Sequence, residues 1–275
     1  MDLSNITVPA SNMAAMVFTC VFSFALPIAL MIIWYKKTGA RAVDALIGAG
    51  AFAVFALMLE GVANNLVASL TEGSIADNIW IYAAYGGLAA GVFEETARFI
   101  SMKFIIKKNL TREGAVMYGI GHGGLEAISI CGVSMISNLV LASKINEGLG
   151  NTLFEGMPAE LMQISYEQLS PLWTSSPGLF LLSAVERVGA IALHICLSYM
   201  VYRAVRDSRY LLFVGAIALH AVIDMSTVLL SATGISAWLV ELMLLAVDGL
   251  FVGIVVRNYR RESEEGSVSD MVMKY

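Results

Sequence analysis

Three short stretches of this chain put carboxylates, an arginine and histidines inside otherwise apolar sequence. EETAR carries Glu94, Glu95 and Arg98, GHGGLE carries His122 and Glu126, and HAVID carries His220 and Asp224. ERVGAIALH adds Glu186, Arg187 and His194, and Asp248 follows in a later apolar run. All three histidines of the chain are in this set. Glu94/Arg98, His122/Glu126 and His220/Asp224 are each four residues apart, so on a helix each pair shares one face. Imidazole and carboxylate together make a metal site of the nitrogen and oxygen type. Zinc suits two or three histidines with a carboxylate and one position left for water. A glutamate beside that water can act as general base for amide hydrolysis, as in the HExxH metalloproteases. Glu94 and Glu126 both fit the role, and Arg98 can hold a carboxylate or stabilise an oxyanion.

The elements that must position these groups are membrane helices. The chain of 275 residues is 58% hydrophobic and 14% charged, with a mean hydropathy of +0.74, which lies outside the soluble range. A span needs about 20 apolar residues. Runs of that kind occur near residues 15–34, 45–66, 79–102, 116–141, 179–202, 211–230 and 238–256. The expected fold is therefore all-α, a polytopic bundle of about seven transmembrane helices forming one domain over 1–256. A polar tail, 257–275, follows. Lys36, Lys37, Arg41, Lys103, Lys107, Lys108, Arg112, Arg203, Arg206, Arg209, Arg257, Arg260 and Arg261 fall on one side, and Lys144 alone on the other. By the positive-inside rule the N-terminus is outside and the C-terminus and tail are cytosolic. The opening MDLSNITVPASN lacks a basic stretch, so the first helix is expected to stay in the mature protein.

This orientation gives the charged residues a common depth. Counted from the cytosolic ends of their helices, Glu94, His122, His194, His220 and Asp248 all lie about 6 to 9 residues in, or roughly 9 to 14 Å at 1.5 Å per residue. An ionisable group in the hydrocarbon costs roughly 2.5 to 3.5 kcal/mol and so faces a bundle interior. Five helices feed this one layer, and its histidines and glutamates make a site from which Asp248, lacking a motif, is left out, whereas Glu186 with Arg187 can simply neutralise each other. Glu60 and Glu241 read as residues nearer the outer boundary, where exposure costs little. Cys20, Cys131 and Cys196 show no metal or disulfide spacing. The glycines of the third and fourth spans match no phosphate loop and read as points of close helix approach. The chain between Ala142 and Gly178 contains Pro158 followed by AELMQISYEQL, an amphipathic interfacial helix.

EETAR, GHGGLE and HAVID resemble the glutamate-containing intramembrane proteases related to type II CAAX prenyl endopeptidases and bacteriocin-immunity proteins. The closer resemblance is to the YhfC branch of bacterial membrane metalloproteases. That pattern is a double glutamate with a basic residue, then FxxxH, then HxxxN or HxxxD. Glu94, Glu95 and Arg98 match the first part, Tyr118 and His122 the second, and His220 and Asp224 the third. Tyr118 replaces the usual phenylalanine, and two residues rather than three separate Glu95 from Arg98. GGLE after His122 and the segment ending at His194 are similar to features of the YhfC branch. The resemblance implies a zinc site of His122, His194 and His220, with Glu94 as base. Glu126 is the alternative base or a fourth ligand, and Glu95, Arg98 and Asp224 are orienting or charge-stabilising residues.

The function expected is an intramembrane metalloendopeptidase of the bacterial cytoplasmic membrane, hydrolysing peptide bonds with a metal- or glutamate-activated water. Its partners are the lipid bilayer and a membrane-associated protein or peptide substrate reached from the cytosolic half, with no nucleic acid. The alternative is an ion- or proton-coupled transporter using the same His, Glu and Asp cluster.

Overall fold

The computed structural model describes residues 2–272, and they are helical with short connections. We number the principal helices α1 (Ala10–Thr38), α2 (Ala42–Leu70), α3 (Ile79–Ile100), α4 (Arg112–Asn146), α5 (Ala159–Leu169), α6 (Pro177–Arg206), α7 (Leu211–Ala232) and α8 (Ala237–Val272). Among the described residues, six are long and apolar enough to cross a membrane: α1, α2, α4, α6, α7, and α8 through Glu262. The remaining expected span, α3, continues past Ile100 as a π-helical segment over Ser101–Ile106. It carries Glu94, Glu95 and Arg98, the residues that set its composition apart from the other six. Two more π-helical segments interrupt helices, at Ala53–Glu60 in α2 and Ala127–Gly132 in α4. Such segments recur at functional sites in helical proteins. Helix α8 runs on to Val272, through most of the stretch read as a polar tail. Residues 273–275 of that tail lie outside the described residues.

The chain divides into two compact units. The first contains the residues up to Leu26 with Glu126–Val188. Its core is built on Leu3, Met16, Met135, Ile145, Phe154 and Leu172. The residues before α1 are tied down by side-chain amides: Asn151 Oδ1 accepts from the Leu3 amide at 2.8 Å, and Asn146 Oδ1 from the Val8 amide at 2.7 Å. Asn12 Nδ2 donates to the carbonyl of Leu172 at 3.0 Å, and Thr19 Oγ1 to that of Phe180 at 2.8 Å. These bonds satisfy the amides of the buried Leu3 and Val8 and the buried side chains of Asn12 and Thr19. Helix α5 follows Pro158, as the proline at its start favours.

The second unit contains Pro27–Leu125 and the residues from Gly189 onward. Helix α3 begins at an Asn78 cap, whose side chain accepts from the amides of Trp80 and Ile81 at 3.0 and 3.3 Å. At the basic end of the helices, Glu262 accepts from Tyr199 Oη at 2.9 Å and Tyr202 Oη at 2.7 Å, and it pairs with Arg206. Tyr259 Oη donates to Glu113 at 3.1 Å. Together these bonds anchor α8 to α6 and α4.

Close backbone contacts set the spacing of this unit. At Gly121 of α4 an added Cβ would come within 1.9 Å of the Ala45 carbonyl oxygen, and at Gly91 of α3 within 2.8 Å of the Ile217 oxygen. Small residues allow membrane helices this approach, and the packing gained substitutes for a weak hydrophobic drive between helices. Gly86 departs from the pattern, with nothing within 4 Å of the equivalent position. Gly121 stands next to His122, so its approach to α2 also fixes where the histidine emerges. Replacing Gly121 with valine is expected to destabilise the fold by about 3 kcal/mol or more. A melting curve of the detergent-purified variant checks this, and an unchanged midpoint would contradict it.

Candidate metal centre

The chemistry-bearing residues of the second unit converge from α3, α4, α6 and α7. On α3, Glu95 and Arg98 are completely buried and Glu94 is 7% exposed. His122 of α4 is completely buried, and His194 of α6 and His220 of α7 are each 3% exposed. His122 Nε2 lies 2.8 Å from Glu94 Oε2, and His194 Nδ1 lies 3.8 Å from the same oxygen. One ligand atom from each of Glu94, His122 and His194 falls within 4.8 Å of the others. Bonds of about 2.0 to 2.2 Å around a tetrahedral ion put ligand atoms about 3.4 Å apart. The separations of 2.8 and 3.8 Å straddle that value.

The surroundings of His122 hold its ring. Phe52 meets it edge-on with centroids 5.2 Å apart, and Tyr118 stacks on it at 5.9 Å. An added Cβ at Gly123 would lie 2.9 Å from the His194 ring, so the glycine beside His122 leaves room for the second imidazole. The His122 and His194 ring centroids are 5.1 Å apart, and those of His194 and His220 are 5.5 Å apart.

His220 has different neighbours. Its Nδ1 lies 2.8 Å from Glu95 Oε1, and its Nε2 lies 3.5 Å from Asp224 Oδ2. A carboxylate on one imidazole nitrogen orients the ring and makes the other nitrogen more basic. The Asp224 side chain is 38% exposed against 4% for that of His220, so the pair runs from the buried layer to an accessible edge. The three expected histidine ligands are thus adjacent; the group that could hold a metal ion contains Glu94 with His122 and His194, and His220 stands between Glu95 and Asp224.

Arg98 joins the two halves of the cluster. Its guanidinium donates to Glu95 Oε1 and to His194 Nδ1, and Nη2 lies 3.8 Å from Glu94 Oε2. A cation held by Glu94 and His194 would therefore compete with Arg98 for the same two acceptor atoms. Glu94 and Glu95 outnumber Arg98, and this surplus of buried negative charge suits a divalent ion. Two imidazoles and a carboxylate within reach of one point also fit a metal of the zinc type.

Glu126, expected as a second base or fourth ligand, belongs to the first unit, where it accepts from Arg187 Nη1 at 2.8 Å. Arg187 also donates to Glu186. Asp248 is buried at 8% exposure beside Gly189, outside the ligand group. Glu60, read from the sequence as a residue nearer the outer boundary where exposure costs little, is half-buried. It closes the π-helical segment of α2, which packs against α3. The available signal was Glu60 and Asn64 one turn apart in an apolar span.

The comparisons with known proteins agree with this chemistry. The family model described as YhfC intramembrane metalloprotease matches residues 22–244. A membrane protein of Bacillus subtilis strain 168, YhfC, is 38% identical over 244 residues, covering 86% of this chain and 93% of its own length. No solved structure matches. The chain is an integral membrane protein and belongs to the YhfC intramembrane metalloprotease family.

Proposed function

Starting from that membership, we propose that this protein is a zinc endopeptidase that cuts membrane-associated proteins or peptides inside the bilayer. The observation that carries the reading is the buried group of Glu94, His122 and His194, with ligand atoms within 4.8 Å of one another. These three residues hold the ion. When bound, zinc polarises the scissile carbonyl and brings the pKa of a coordinated water near neutral. His220, oriented by Glu95 at Nδ1, takes the water proton at Nε2 and later returns it to the departing amine. Arg98 holds Glu95 in place, and its charge offsets that of the paired glutamates. Asp224 stabilises the imidazolium that His220 becomes. The accessible edge at Asp224 is where substrate enters. The basic residues at the nearer helix ends support a site in the cytosolic half of the bilayer.

The test is cleavage of single-span membrane proteins co-reconstituted in liposomes, with new N-termini read by mass spectrometry. The expected result is new termini within hydrophobic segments that vanish on chelation and return with zinc. Cleavage unaffected by chelation, or no cleavage in any zinc-loaded preparation, contradicts the proposal.

A further inference from the structure

A line of polar side chains leaves the candidate centre and follows α2 and α3 away from the basic end. Asn64 Nδ2 donates to Glu60 Oε1 at 3.3 Å, and Tyr85 Oη donates to Asn64 Oδ1 at 2.7 Å. All three side chains are half-buried, so they are neither sealed in the core nor fully open. Glu60 closes the π-helical segment of α2, which packs against α3, the helix that carries Glu94, so one end of the line lies beside the site. Asn64 is one turn beyond Glu60 on the same helix face, and Tyr85 precedes Glu94 on α3. Both helices therefore carry the line in the same direction. The distance along α3 from Tyr85 to Glu94 is about 13 Å at 1.5 Å per residue. An extended chain covers this in about four residues.

A substrate helix in a bilayer has its backbone groups bonded to one another, and hydrocarbon offers no replacement partners once they separate. Cleavage requires such separation, because a peptide bond inside a helix cannot be presented to an attacking water. A membrane-embedded row of a carboxylate, an amide and a phenol supplies acceptors and donors where an unwound segment would need them. We infer that Glu60, Asn64 and Tyr85 form a backbone-binding track that holds an extended stretch of substrate beside the metal centre. This inference rests on the proposed peptidase reading and names positioning residues for it. Glu60 accepts substrate N–H groups nearest the scissile bond, and Asn64 and Tyr85 pair with the next residues outward.

The test uses the full-length, zinc-supplied protein in detergent micelles and reads binding by calorimetry. Acetohydroxamic acid probes the metal centre alone. N-acetyl-trileucine hydroxamate and a hydroxamoyl-succinyl-trileucine amide add peptide backbone in the two chain directions. In the wild type at least one extended probe should bind about tenfold or more tighter than acetohydroxamic acid. Glu60→Leu and the double variant Asn64→Leu/Tyr85→Phe should lose most of that gain while binding acetohydroxamic acid as the wild type does, which also shows that they fold. N-methylation of the probe amides should mimic the variants. Acetohydroxamic acid binding with no gain from either peptide, or a gain that survives both variants, overturns the track alone. No acetohydroxamic acid binding by the wild type overturns the metal-centre reading and the track with it.

Discussion

Glu94→Gln should cost at least about a thousandfold in peptide hydrolysis, equivalent to about 4 kcal/mol of transition-state stabilisation, and should weaken zinc binding in the same variant. The amide keeps the size of the side chain but gives up its negative charge, and Glu94 Oε2 is the atom approached by both His122 and His194. Losing that charge removes a ligand and part of the surplus that favours a divalent cation. Arg98 then keeps its hold on Glu95 and His194 with less competition, which further disfavours the ion. Cleavage kinetics with zinc titration over a wide range check this. Full activity at ordinary zinc levels would remove Glu94 from the centre.

His220→Gln should separate the two properties. The amide can still meet Glu95, so the buried pair with Arg98 is preserved, but it carries no titratable nitrogen. Zinc content is expected to stay near that of the wild type, while turnover falls by about 10² to 10⁴, the usual contribution of a general acid or base. The prediction follows from the different partners of the histidines. His122 and His194 meet Glu94, whereas His220 lies 2.8 Å from Glu95 and 3.5 Å from Asp224. Loss of metal in step with activity would return His220 to the ligand set, as the family resemblance implies.

Much of this site is legible in the sequence because the bilayer penalises charge so heavily. A histidine or glutamate in an apolar span needs a reason, and Glu94, His122, His194 and His220 share one depth when counted along their helices. That reasoning identifies the layer and the helices that contribute to it. It does not distribute partners within the layer, because partners depend on rotation and tilt, which a one-dimensional pattern does not contain. Glu126 shows this well. It lies four residues from His122, yet its bond is to Arg187, 61 residues away in sequence. The glycines beside His122 were readable as points of close approach, although Gly86 does not serve as one. The π-helical segments at Ala53–Glu60 and Ser101–Ile106 have no Pro and no local sequence signature. The first of these segments ends at Glu60, which the sequence reads only as a residue nearer the outer boundary. The charges of α3 explain another difference. They make it the most informative helix for chemistry and the least conspicuous as a membrane span.

The central claim, that Glu94, His122 and His194 together hold a metal ion, is tested most directly by metal content. Detergent-purified wild type and the His122→Ala/His194→Ala variant are supplied with zinc, desalted and measured by inductively coupled plasma mass spectrometry, with circular dichroism confirming helix content. The account predicts about one zinc per wild-type chain and almost none in the helical variant. No zinc in the folded wild type, or equal zinc in both, would contradict it.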